Sequence, residues 1–191
     1  MAYLWLMTSS RKQIMKDNGL YKGTVDNKKD KAYLDGVEAT NKKYLPVRFH
    51  KRVYYKETDI VLRNLRRLKE SGAKNFKLNE FKCGCGRRYC SGYPAVLDKQ
   101  LLVNLQTMRK KHGPIQITSG MRCQPYNDSL DGSSKISAHL KGKAVDMYIP
   151  ELSDTPEGRN TIKAEWKRLP KYGYTYSDTP GMKKAVHYNV K

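Results

Sequence analysis

Apolar residues recur along this chain with two different periods, and each period predicts its own kind of element. In DIVLRNLRRLKE, residues 59–70, Val61, Leu62, Leu65 and Leu68 form one helical stripe, with arginines on the solvated side. In residues 96–113 the same spacing recurs at Leu97, Leu101, Leu105 and Met108, and Gly113-Pro114 stops the helix. TPEGRNTIKAEWKRLP predicts a third helix, with Thr155 as N-cap, Pro156 at the first helical position, and Ile162, Trp166 and Leu169 facing a core. Elsewhere the period is two. PIQITSG puts Ile115 and Ile117 on one face of a strand. GKAVDMYIP sets Val145, Met147 and Ile149 against Asp146 on the opposite face. The tail KKAVHYNVK sets Val186, Tyr188 and Val190 against Ala185, His187 and Asn189. Between these elements, residues 71–94, residues 121–135 and the stretch around Asp178 read as loops. Residues 1–50 read as two short helical pieces around a turn-rich centre.

Helices and strands both occur along the chain, and an α+β domain is the expected class. No stretch approaches the roughly 20 apolar residues that span a bilayer, so no membrane insertion is expected. The apolar start MAYLWLMTSS lacks a basic flank and a cleavage site, so no signal peptide is expected.

Charge narrows the partners. Lysine and arginine number 38 against 18 acids, a net charge of +20. Such a chain adheres to polyanions, either nucleic acid or an anionic bacterial wall. Charge alone does not choose between them, but no nucleic-acid-binding motif is present.

Two groups of residues carry candidate chemistry. If residues 142–149 and the tail are neighbouring strands, His139, Asp146 and His187 converge. Three N or O ligands with one position left for water is the composition of a catalytic zinc site. Gly142 and Ala144 would let the backbone pass close to it. His50 and His112 read as ordinary surface or packing residues, His112 at a helix end that favours a cation. The second group is Cys83, Cys85, Cys90 and Cys123. These residues suit a structural four-thiolate metal site, with Gly84 and Gly86 permitting a tight knuckle. A direct Cys83–Cys85 bridge would be strained, whereas disulfides from either to Cys90 or Cys123, or simple buried thiols, remain open.

The pattern Ser137-x-His139-x-x-Gly142-x-Ala144-x-Asp146 resembles the signature of the zinc D-Ala-D-Ala carboxypeptidases and L-Ala-D-Glu endopeptidases, which cut peptidoglycan peptides and include many phage endolysins. NFKLNEFKCGCG, ITSGMRCQPYN and KAVHYNV extend the resemblance over roughly residues 75–191. It implies the hedgehog/D-Ala-D-Ala peptidase type of fold, a small antiparallel sheet with flanking helices. It also implies roles: His139, Asp146 and His187 as zinc ligands, Arg122 on the substrate carbonyl and oxyanion, and Ser137 on substrate or steadying His139. Relatives often read HVD where this chain reads His187-Tyr188-Asn189, and Lys184 stands three residues before His187. Neither Asn189 nor Lys184 is an ordinary base, so Asp178 is the expected one, with Tyr176 and Tyr188 as nearby polar groups.

GLYKGTVD, residues 19–26, resembles the turn of peptidoglycan-binding modules, with VEATNKKYL in place of their following helix. The expected division is a helical wall-binding module over 1–72 and a zinc peptidase domain over 73–191. The expected protein is a monomeric lysin acting on peptidoglycan and anionic wall polymers, either held in the host cytoplasm until released to the wall or extracellular. It would use one catalytic zinc and a second, structural one. The competing expectation is a non-catalytic cationic binder of walls or nucleic acid, built around the cysteines.

Overall fold

The computed structural model describes residues 56–191. In chain order they form α1 (Lys56–Glu70), a 3-10 turn (Leu78–Phe81), α2 (Lys99–His112), β1 (Gln116–Ser119), α3 (Gln124–Asp128) and a 3-10 turn (Ala138–Lys141). Then come β2 (Ala144–Tyr148), a 3-10 turn (Leu152–Asp154), α4 (Pro156–Trp166), β3 (Tyr172–Ser177) and β4 (Val186–Val190). The wall-module resemblance and His50 lie outside the described residues.

The four strands make one antiparallel sheet in the order β1-β2-β4-β3. Its core face carries Val145, Met147, Val186, Tyr188 and Val190, buried against Leu101, Leu105, Ile162 and Trp166 of the helices. Trp166 stacks on Tyr188 with ring centroids 3.8 Å apart. The Tyr188 hydroxyl accepts from Asn104 Nδ2 at 2.6 Å. Tyr188 therefore belongs to the core, and burial pushes its pKa up to about 12. It is not one of the polar groups of the site.

Local rules explain the helix ends. Asp98 accepts from the backbone N–H of Gln100 and Leu101, so α2 starts after Leu97. Leu97, expected on the helical stripe, is buried just ahead of the cap. Thr155 caps α4 through the Gly158 N–H, with Pro156 at the first position as expected.

Two expectations are corrected. Residues 121–135 contain the short helix α3, opened by Pro125 in its first turn. The stretch before Asp178 is a strand, YGYTYS, in which Tyr174 and Tyr176 pair with Asn189 and His187. Ile60, Val61 and Leu68 of α1 share one cluster with the sheet and α2. Buried Asn64 also stitches α1 to the next segment, donating to Ala95 O and accepting from Leu97 N.

Candidate metal centre

Strand pairing places the ligands. Asp146 on β2 is the register partner of His187 on β4, so both side chains leave the sheet on the same face. His139 arrives from the 3-10 turn Ala138–Lys141, which ends at Gly142 with φ 67°. A Cβ at Gly142 would lie 2.4 Å from Val96 O, and the Gly142 carbonyl accepts from Asp98 N. Glycine is needed there for both handedness and room. Ala144, fully buried, keeps β2 slim beside Asn189.

The three groups meet. His187 Nδ1 lies 2.7 Å from Asp146 Oδ1. His139 Nε2 lies 3.3 Å from both His187 Nδ1 and Asp146 Oδ1. All three residues are buried. The far side of each ring fixes its tautomer. His139 Nδ1 faces the Gly120 carbonyl at 2.6 Å, so it must be the donor. His187 Nε2 faces Asn189 Oδ1 at 3.3 Å, and the Asn189 amide donates in turn to Val190 O. Both inward nitrogens therefore present lone pairs towards a carboxylate oxygen. Three lone pairs this close repel unless a proton or a cation lies among them, and a divalent metal suits two imidazoles and a carboxylate.

Protonation states agree. Burial holds the His139 imidazole below its ordinary pKa, against the opposing pull of Asp146. Burial pushes the Asp146 carboxyl up, but its interactions with the His139 and His187 imidazoles outweigh that and hold it well below the carboxylate range. Asp146 Oδ2 is bound by Arg122 Nη2 at 2.8 Å, leaving Oδ1 for the imidazoles. Arg122 is braced by Ser119 Oγ, and its backbone N–H donates to His139 O. Gly120 can approach Phe81 only without a side chain, since a Cβ would sit 2.5 Å from its backbone. Its carbonyl is thereby fixed over His139.

A cleft opens on this face of the sheet, lined by Arg122, Asp146, Tyr148, Asp154, Tyr176 and Lys184 among others. Tyr176 stacks on His187 at 4.5 Å. Asp154 is held by the Tyr148 hydroxyl and by Lys184 Nζ, the latter at 2.7 Å.

Two expected residues are not brought into this cleft. Asp178 turns the other way, gripped by Arg159 at 2.6 Å with Lys163 near it. Hydrogen bonds from Ser177 and Arg159 hold its pKa down. Asp178, expected as the base, is thus paired with Arg159 off this cleft. Ser137 does not line the cleft; its carbonyl accepts from Leu140 N and so starts the turn that presents His139. His112 pairs with Glu165 at 2.5 Å, the packing role expected of it. Gly120, Asn189 and Asp154 were missed as site-building residues. Gly120 and Asn189 had a readable signal, standing beside Arg122 and at i+2 from His187. Asp154 had none, because its loop reads as a helix lead-in.

The cysteines gather separately. Cys83, Cys85, Cys90 and Cys123 are buried free thiols, in a cluster distinct from the main core.

A buried cluster of two imidazoles and a carboxylate, the carboxylate bordering an open cleft, is the arrangement of a metal-dependent hydrolase. Residues 74–179 match the family model described as Peptidase M15, and the chain belongs to that metallopeptidase family. The match ends before β4, so the structure rather than the family model joins His187 to the other two residues. No curated protein and no solved structure matches the chain.

Proposed function

We propose that this protein is a zinc-dependent peptidoglycan peptidase of the D-Ala-D-Ala carboxypeptidase or L-Ala-D-Glu endopeptidase type, acting as a phage endolysin. The supporting observation is the convergence of His139 Nε2, His187 Nδ1 and Asp146 Oδ1, with Asp146 bordering the cleft. These atoms would hold the zinc. Bound there, zinc polarises a scissile carbonyl and acidifies water.

The chain's own residues do the rest. Gly120 and Asn189 fix the imidazole tautomers. Arg122 orients Asp146 and presents its guanidinium to the cleft, where a substrate carbonyl or carboxylate would dock. Asp154 takes the place of the expected base. Unlike Asp178 it lines the cleft, and it is ionised, its pKa held below the ordinary carboxylate value by hydrogen bonds from Lys184 and Tyr148. Lys184, three residues before His187, thus serves as its anchor. The segment before α1 would tether the enzyme to the wall and raise its local concentration there.

Mass spectrometry of purified cell walls after digestion tests this reading. New peptide termini that require zinc and vanish in His187→Ala are expected, and the termini identify the bond. Asp154→Asn should lower kcat at least about tenfold while leaving zinc content unchanged. Lys184 at a position where a base would be useful favours a second reading, a zinc-loaded but non-catalytic wall binder. That reading is right if zinc-replete protein sediments with walls yet releases no new termini.

A further inference from the structure

The cysteine cluster lies outside the peptidase centre, and its geometry is specific. The four Sγ atoms all lie within 4.8 Å of one another. Cys85 and Cys90 are 3.5 Å apart, and Cys83 and Cys123 are 3.8 Å apart. With Zn–S bonds of about 2.3 Å, a regular tetrahedron has sulfur–sulfur edges of about 3.8 Å. A disulfide would need about 2.05 Å. The sulfurs are thus spaced as ligands around an ion and not as bonded pairs.

The surroundings favour thiolates. Backbone N–H groups of Cys123 and Gly92 point at the sulfurs of Cys83 and Cys90, at 3.3 and 3.4 Å. Lys82 interacts electrostatically with Cys85 and Cys90, and Arg87 and Arg88 flank the knuckle. A dianionic four-thiolate centre would be partly neutralised by these cations. Four thiols serving only as small apolar fillers would need neither the N–H groups nor the cations.

We propose that Cys83, Cys85, Cys90 and Cys123 form a structural tetrathiolate site for a thiophilic divalent metal of the zinc class, and that it braces the wall of the cleft. Cys123 follows Arg122 directly and caps α3, whose Tyr126 lines the cleft. On the other side, Gly84 packs so closely on Tyr126 that a Cβ would lie 2.9 Å from its hydroxyl. The ion would join the knuckle at 83–90 to the arginine loop, two segments that no strand pairing connects.

The test uses the full chain carrying His139→Ala and His187→Ala, so it does not depend on the peptidase reading. Reduced protein loaded with cobalt(II) should show thiolate-to-cobalt charge-transfer absorption and the intense visible bands of a tetrahedral ion. Elemental analysis of the zinc form should give about one metal per chain, against about two for the unaltered protein. Loading should also protect the thiols from alkylation, even if Cys→Ser variants fail to fold. Cobalt absorption without charge transfer, thiols alkylated equally fast with and without metal, or Cys83–Cys123 and Cys85–Cys90 disulfides in freshly purified protein would each overturn the proposal.

Discussion

The imidazole of His139 can serve as a ligand because its other nitrogen is already committed to the Gly120 carbonyl. The same logic gives Asn189 its role towards His187. Asn189→Ala should weaken zinc binding by about 10- to 100-fold while leaving the fold intact, measurable by competition with a chromophoric chelator. Proton binding supplies a second prediction. His139 has its pKa lowered by burial, so below the ordinary value of about 6.5 the unfolded chain takes up a proton that the folded chain refuses. Asp146, with its pKa also lowered, adds stability above the ordinary carboxylate value of about 4 that is lost as pH falls further. Both signs agree: acid destabilises. In chelator-treated protein, the urea midpoint should fall between about pH 7 and about pH 5, chiefly through His139. A midpoint that rises over this range would contradict the buried neutral imidazole.

Elements place these residues through their ends as much as through their faces. The turn bearing His139 closes only because Gly142 adopts a left-handed conformation against Val96. Gly142→Ala should cost about 2 kcal/mol or more, from strained backbone and steric overlap together, and should lower zinc occupancy along with stability. Helix α1 is fastened by polar contacts as well as its apolar stripe. Asn64→Ala would leave the Ala95 carbonyl and the Leu97 N–H buried without their partner, a loss of about 2 kcal/mol in chemical denaturation. The three longer helices were legible because each carries an apolar stripe, whereas α3, five residues long, carries none. β3 was missed because glycine and polar residues interrupt YGYTYS, leaving no apolar alternation. Yet tyrosine at every second position is itself a strand signal, and it places Tyr176 over His187.

At the scale of the whole molecule, the net charge of +20 would draw the chain to the anionic wall proposed as its partner, whatever the chemistry in the cleft. Sedimentation with purified walls should weaken steeply as salt rises, because exposed charges are screened beyond about 8 Å at physiological ionic strength. Cleavage of a soluble stem peptide should depend on salt far less. Equal salt sensitivity of the two would argue against separate wall attachment.

The sequence by itself determined the periods, the caps, the charge and the kinds of donor available, because those depend on residues close together in the chain. The pattern around Ser137–Asp146 even indicated which donors belong together. Tertiary structure alone decided where side chains separated by tens of residues point. Asp178 turned to Arg159 because β3 is a strand whose end faces α4, and Asp154 entered the cleft because Lys184 and Tyr148 hold it there. α1 joined the main core because its apolar stripe found partners in α2 and the sheet. Local pattern is written in neighbouring residues, whereas the direction of a charged side chain is settled by whichever distant partner packing brings within reach.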